Sequence, residues 1–255
     1  MGATSLCFSS DGARLHCGEP HGIRTFDVAR PGRTSTHLRS PAPLTGITST
    51  LAACPGDPRL LAAGCTGRTA AVYSATTGTC VAAVPPVHRG GVTQVALAPD
   101  GGLLCTGARK DSRVLVWDLR RTAAPLHTLA RAARTNQRLG FSLYTPTGSS
   151  GVGLCLVSGT TDGAVVAYAL ATGARVAEHC APPHVHAHDA VNGASMHPAL
   201  PYLATTTGQR TQLVLPFDED DGNGFSASAP AQPETVPPAL RIFRVPTPGH
   251  VPCTS

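Results

Sequence analysis

The sequence predicts an all-β protein built from repeated antiparallel sheets, and three observations predict it. Apolar and polar residues alternate in runs of five or six, the period of half-buried strands. Ser10-Asp11-Gly12, Pro99-Asp100-Gly101 and single glycines punctuate those runs with the chemistry of tight turns. The glycines closing the second run of each group, Gly18, Gly64, Gly107 and Gly159, recur at spacings of 46, 43 and 52 residues. That is near the roughly 40–45 expected of a repeated four-stranded sheet.

The clearest repeat runs from His88 to Leu119. Gly90 and Gly91 lead into an alternating run from Val92 to Leu97, and a second apolar run ends at Gly107. A charged loop then carries Asp111, and a third run closes on Trp117 and Asp118. This order is that of a WD-repeat blade, one sheet of a β-propeller. In such a blade His88, Thr106, Asp111 and Trp117 are expected to join in one hydrogen-bond network. A buried Asp or His costs several kcal/mol, of order 2–7, unless its partners are in place. Ser158 and Asp162 repeat the polar positions in the next blade, and His188 is the incoming histidine of the one after. A structural role is favoured over a catalytic triad, which geometry alone defines.

Taken in order, five blades are readable: about 4–45, 46–87, 88–135, 136–190 and 191–245. In the first, Phe26-Asp27 stands where the Trp-Asp pair belongs, and a Pro/Gly-rich connection holds Arg30, Arg33 and Arg39. In the second, the third strand ends at Tyr73. The fourth has a first turn swollen with Gly and Ser between Pro146 and Gly153. Within the fifth, residues 211–239 carry five acidic and no basic residues and read as a disordered acidic and proline-rich insertion, before the strand resumes at 240–245. Residues 246–255 read as a tail. Each blade has two apolar faces and WD-type rings most often close with seven, so the five are expected to be an incomplete part of a seven-bladed ring.

Composition narrows the function classes. Hydrophobic residues make up 42% and charged residues 14%, which fits a globular chain with one substantial core or two small ones. No apolar run reaches membrane-spanning length, and Leu6 spoils the myristoylation motif at Met1-Gly2. Nine cysteines are scattered without a Cys-x-x-Cys pair, which reads as reduced, buried thiols rather than a disulfide or zinc framework. The net charge is +5, with Lys110 the sole lysine among 20 basic residues, an arginine bias that also fits a GC-rich genome.

Several stretches resemble the telomerase Cajal body protein family of WD-repeat proteins. They are Ser5 to Phe8 with Asp11-Gly12; Ala29 to Arg33; Gly90 to Thr93; Gly107-Ala108-Arg109-Lys110-Asp111 with Trp117 to Arg120; Thr135 to Arg138; and Asn192 to Pro198 with Leu203 to Thr205 and Gly208 to Arg210. The resemblance is collinear over nearly the whole chain and covers that family's C-terminal blades. It implies a non-enzymatic RNA-binding scaffold that recognises the CAB-box loop of small Cajal body RNAs and of telomerase RNA. It also implies nuclear residence in Cajal bodies, ribonucleoprotein partners and a part in telomere maintenance, with no membrane, cofactor or small-molecule substrate.

The residues themselves point to one surface for such a role. In a blade, the loop between the second and third strands shares a rim with the loop to the next blade. Here these loops hold Arg109, Lys110, Arg131, Arg134 and Arg138, and residues 109–138 contain eight basic and two acidic residues. Arginine clusters hold single-stranded RNA through phosphate contacts and stacking, and Asn136 and Gln137 can read a base edge. Arg210, in the stretch after the fifth blade's second strand, joins the candidates. The acidic insertion leaves from the same rim, as a competitor for the cations or, the blander reading, as a solubilising loop. The alternative function is a WD-repeat protein–protein adaptor with no RNA role. Cys180, His184, His186, His188 and Asp189 have the types and spacing of metal ligands, but His188 already fills a blade position, which disfavours a metal site. No phosphate-cradling loop, Gly-x-Ser-x-Gly elbow or His-Glu-x-x-His motif occurs.

Overall fold

Alternation decides which way each strand residue faces, and the pairing register follows from it. A computed structural model describes residues 2–20, 22–30, 32, 34–39, 43–146, 153–176, 190–208 and 239–245. Within them the strands form five antiparallel sheets, each ordered as in the chain. The first holds β1 (Ser5–Phe8), β2 (Arg14–Glu19), β3 (Gly22–Asp27) and β4 (Thr36–Arg39). The second holds β5 (Thr48–Cys54), β6 (Asp57–Cys65), β7 (Ala70–Ser74) and β8 (Cys80–Val84). The third is β9 (Val92–Leu97), β10 (Leu103–Ala108), β11 (Arg113–Asp118) and β12 (His127–Ala130). The fourth has β13 (Phe141–Tyr144), β14 (Cys155–Gly159) and β15 (Val165–Ala169), with a bridge from Tyr168 to Arg175 beyond it. The fifth is β16 (Val191–Met196), β17 (Tyr202–Thr207) and β18 (Leu240–Arg244). His188, Arg210, the insertion up to residue 238, the tail and the Cys180–Asp189 group lie outside the described residues.

Four apolar layers join these five sheets in a propeller arrangement. Ile23, Leu51, Leu61 and Tyr73 pack between the first and second, and Val72, Val92, Leu104 and Trp117 between the second and third. Cys105, Val116, Phe141 and Leu156 fill the next gap, and Cys155, Val157, Val191 and Leu203 the last. Paired residues such as Leu61 with Tyr73 and Ala62 with Val72 face opposite layers, as a period of two requires. The innermost strands β1, β5, β9, β13 and β16 lie next to one another in turn. Side chains tie them: the Gln94 amide donates to the Phe141 carbonyl at 2.6 Å and accepts the Phe141 N–H at 3.0 Å, as a strand backbone would.

The end sheets show apolar residues on their outward faces. Leu6 and Phe8 are 63% and 59% exposed on the first sheet, and Leu240 and Ile242 are each 68% exposed on the fifth. Sheets elsewhere approach closely enough to demand glycine. A Cβ on Gly159 would collide with the Val191 carbonyl and side chain, whereas one on Gly153 meets nothing within 4 Å. Gly159→Ala is therefore expected to destabilise the protein by about 1–3 kcal/mol through overpacking, with Gly153→Ala near neutral. Urea unfolding of the two variants is the check.

Repeated acids in the turns are explained by backbone geometry. Asp11, Asp27, Asp57, Asp100 and Asp118 each accept the N–H two residues on, at 2.9–3.0 Å. The described cysteines are free thiols, and burial pushes Cys105 up to about 12, so it is protonated and inert at neutral pH. Among the described residues no three His, Cys, Asp or Glu side chains gather as a metal site, and no helix is long and apolar enough to cross a membrane.

Candidate nucleic-acid interface

The third sheet positions the interface, and a polar network anchors that sheet. His88 lies 2.9 Å by Nδ1 from Asp111 Oδ2 and 2.8 Å by Nε2 from Thr106 Oγ1. The Trp117 indole N–H donates to the same Thr106 oxygen at 2.9 Å. Asp111 also takes Arg113, with Nε at 2.8 Å and Nη2 at 3.0 Å, and the Arg89 backbone N–H at 3.2 Å. All four network side chains are buried. Burial pushes His88 below the usual histidine range, against the pull of Asp111. For Asp111, burial works to raise the carboxyl, but bonds from Arg113 and His88 outweigh it and hold it at about 2. The two directions conflict if His88 is taken as the cation of the pair. Arg113 resolves this: it balances the Asp111 charge, and His88 stays neutral, donating from Nδ1 to Asp111 and accepting the Thr106 hydroxyl at Nε2.

Asp111 thereby fixes the β10–β11 turn, whose exposed cations Arg109 and Lys110 stand above the network. Lys110 adopts φ 53°, and its N–H donates to the Thr135 carbonyl at 3.0 Å. The Thr161 N–H reaches the Ala132 carbonyl at 2.8 Å, and the Gly140 N–H the Asn192 carbonyl at 2.6 Å. The two loops are thus brought together on one rim. Arg134, Asn136 and Arg138 are exposed there and Gln137 half-buried, its backbone N–H bound to the Thr135 hydroxyl at 3.1 Å. The Asn192 side chain in turn donates to the Gly208 carbonyl, so the chain enters the segment after residue 208 from this same side.

Arg131 requires a correction. It is 5% exposed and not on the rim surface. Its Nη1 donates to the Leu139 carbonyl at 3.0 Å and to Ser158 Oγ at 2.8 Å, and its guanidinium carbon sits 5.9 Å from the Phe141 ring centroid. Burial pulls it down to about 10. Arg131 stands by Ser158 where His88 stands by Thr106 one sheet earlier, as a donor where the neutral histidine is an acceptor. Asp162 does not join that network; it accepts the Thr160 hydroxyl instead. The density of eight basic residues also overstates the rim: Arg113 and Arg120 are bound to Asp111 and Asp118. Arg120 and Arg121 belong with the β11–β12 connection rather than with this rim. A signal for Arg131 was present, since Leu129 buried, Ala130 exposed and Arg131 buried continue the alternation of β12 by one residue.

A four-stranded sheet with this His–Thr–Asp–Trp network, stacked against like sheets, defines a WD-repeat protein. The family described as WD domain, G-beta repeat matches residues 78–118. Within that class the chain is homologous to Telomerase Cajal body protein 1. It is 40% identical to the Bos taurus protein over 227 residues, which are 87% of this chain and 40% of that protein. The Homo sapiens protein is 39% identical over 226 residues, 87% of this chain and 39% of its own length. The Drosophila melanogaster homolog is 31% identical over 225 residues, covering 82% and 37%. The chain therefore spans about two fifths of the length of these relatives. A chain of the solved structure described as "Crystal Structure of Mitotic Checkpoint Complex" aligns with a TM-score of 0.59 at 22% identity, over 80% of this chain and 56% of that one. That likeness shows the shared fold.

Proposed function

We propose that the chain is a non-enzymatic RNA-binding scaffold whose rim takes the CAB-box loop of small Cajal body RNAs and telomerase RNA. Nuclear, Cajal-body residence and ribonucleoprotein partners belong to the same proposal. The observation that carries it is the rim itself: Arg109, Lys110, Arg134 and Arg138 are exposed, have no carboxylate partner among the described residues, and stand on two loops locked together through Lys110 and Thr135. Such cations hold phosphates, and Asn136 and Gln137 beside them supply groups that discriminate bases. Relatives named for telomerase and the Cajal body support the choice of RNA.

The test is a titration of the chain with a fluorescent CAB-box hairpin at several salt concentrations. Arg109→Ala/Lys110→Ala/Arg138→Ala is expected to weaken binding more than tenfold. The slope of log affinity against log salt should flatten by about 2, at about 0.7 per single-strand phosphate contact. Salt-independent binding, or a triple variant that binds as the parent does, returns the chain to the protein–protein adaptor class.

A further inference from the structure

We infer that the RNA track continues from the third sheet onto the second, with Arg89, on the connection between them beside Asp111, and Arg68, on the second sheet's β6–β7 turn, as two further phosphate contacts. This rests on the RNA reading and extends its site by one sheet. Among the described residues, the non-glycine positions with left-handed backbone are Arg68 at φ 70° and Lys110 at φ 53°. Both are cations, and both sit in the connection between the second and third strands of adjacent sheets. Side chains other than glycine, Asn and Asp seldom take this conformation, and where they do the strain often serves a function.

The fourth sheet shows what an unstrained version looks like. Its β14–β15 connection closes with Thr160 N–H on the Ala164 carbonyl at 3.0 Å, as the β6–β7 connection closes with Cys65 N–H on the Thr69 carbonyl at 3.0 Å. The residue before the closing position is Gly163, at φ 83°, in the fourth sheet and Arg68 in the second. An exposed arginine stands where glycine fits without strain.

The two strained turns are joined by the segment Arg89-Gly90-Gly91. A Cβ on Gly91 would lie 3.0 Å from the Thr66 Cα, and one on Gly90 would strike the Arg109 carbonyl. The backbone therefore runs directly from the third sheet's turn to the second's, with Arg89 exposed at the third-sheet end, its N–H on Asp111. Arg68 and Arg89 make no ion pair among the described residues, whereas Arg24, Arg59, Arg113 and Arg120 are each paired with a carboxylate. The carboxylate beneath Arg89 belongs to Asp111, which is buried and held by Arg113. On the other side exposed Asp162 interrupts the positive run at the fourth sheet's turn. Charge thus directs a phosphate backbone toward the second sheet.

The experiment compares a CAB-box hairpin with the same hairpin carrying a single-stranded flank, titrated against the full chain at several salt concentrations. Arg68→Gly removes the charge and the backbone strain together, so Arg68→Gly/Arg89→Ala is expected to melt no lower than the parent. It should nonetheless bind the flanked RNA about tenfold more weakly, with the salt slope reduced by about 1.4 for two contacts. The bare hairpin should bind the parent and the variant alike. Unchanged affinity and slope for the flanked RNA, while Arg109→Ala/Lys110→Ala/Arg138→Ala remains defective, confines the track to the third sheet and overturns this inference alone. If neither set of substitutions alters binding of either RNA, or an acidic peptide binds the rim and RNA does not, the RNA reading falls with it.

Discussion

Asp111→Ala is expected to cost about 3–5 kcal/mol of folding stability, the range for removing one partner of a buried charged pair. The loss is large because the carboxylate serves three donors: Arg113, His88 and the Arg89 backbone N–H. Without it, Nδ1 of His88 is left buried beside an Arg113 that has no counter-charge. Asp118→Ala removes a carboxylate whose partner Arg120 has an 85% exposed side chain, and it should cost far less, because solvent screens that pair. Urea unfolding of both variants measures the contrast. The pH dependence follows from the same network. Asp111 falls from 3.8 in the unfolded chain to about 2 in the fold. Its contribution, about 2 kcal/mol from linkage, is therefore complete above pH 3.8 and lost as pH drops through 2. His88 is also lowered, from 6.5, by burial. Its neutral form stabilises the fold above pH 6.5, and that contribution drains away as pH falls below this value. Both groups weaken the protein on the acid side. Asp111→Ala should flatten the stability profile between pH 4 and 2; a slope there equal to the parent's would mean that other carboxylates set acid unfolding.

What the sequence discloses and what it conceals divide along physical lines. Strand alternation and turn chemistry are local, so the five sheets are readable from runs such as Val92 to Leu97 and from turn acids such as Asp100. The His88 network is readable because four polar or amphipathic residues at blade positions make sense only together. The direction of an arginine side chain is a tertiary outcome. In a loop that also holds Arg134 and Arg138, nothing about residue type separates a guanidinium in water from one folded beneath its own loop. Two clues exist for Arg131, though: the parity of β12, and the absence of a histidine between β12 and β13 to stand by Ser158 as His88 stands by Thr106. Arg68 is hidden for a different reason. Its left-handed backbone is forced by the length of the β6–β7 turn, and only the pairing register, Gly64 with Ala70, reveals that length.

Arg131→Ala is the other substitution expected to be costly, at about 2–4 kcal/mol, combining a cavity with lost buried hydrogen bonds. The guanidinium fills the space between Gly107 of the third sheet and Phe141 of the fourth: a Cβ on Gly107 would lie 3.0 Å from Arg131 Nη2 and 3.1 Å from the Phe141 ring. Removing it empties that space and leaves the Leu139 carbonyl without its donor. Ser158 suffers less, because Gly159 O at 3.0 Å remains to it. Arg131→Met separates the two costs. Methionine refills the gap and also removes the buried Nε, which has no hydrogen-bond partner, so it should recover about half of the loss. Arg131→Lys keeps the charge but not the flat group over Phe141; its three ammonium donors can serve both Leu139 and Ser158, as Nη1 alone does in the parent, so what it loses is the planar packing. The measurement is urea unfolding of the three variants together with amide exchange across residues 132–140. In Arg131→Ala and Arg131→Met alike, the loop should exchange faster, because Leu139 has lost its tether, even though methionine restores much of the global stability. Equal protection of that loop in Arg131→Met and the parent would show that packing alone, and not the guanidinium, holds the cationic rim in place.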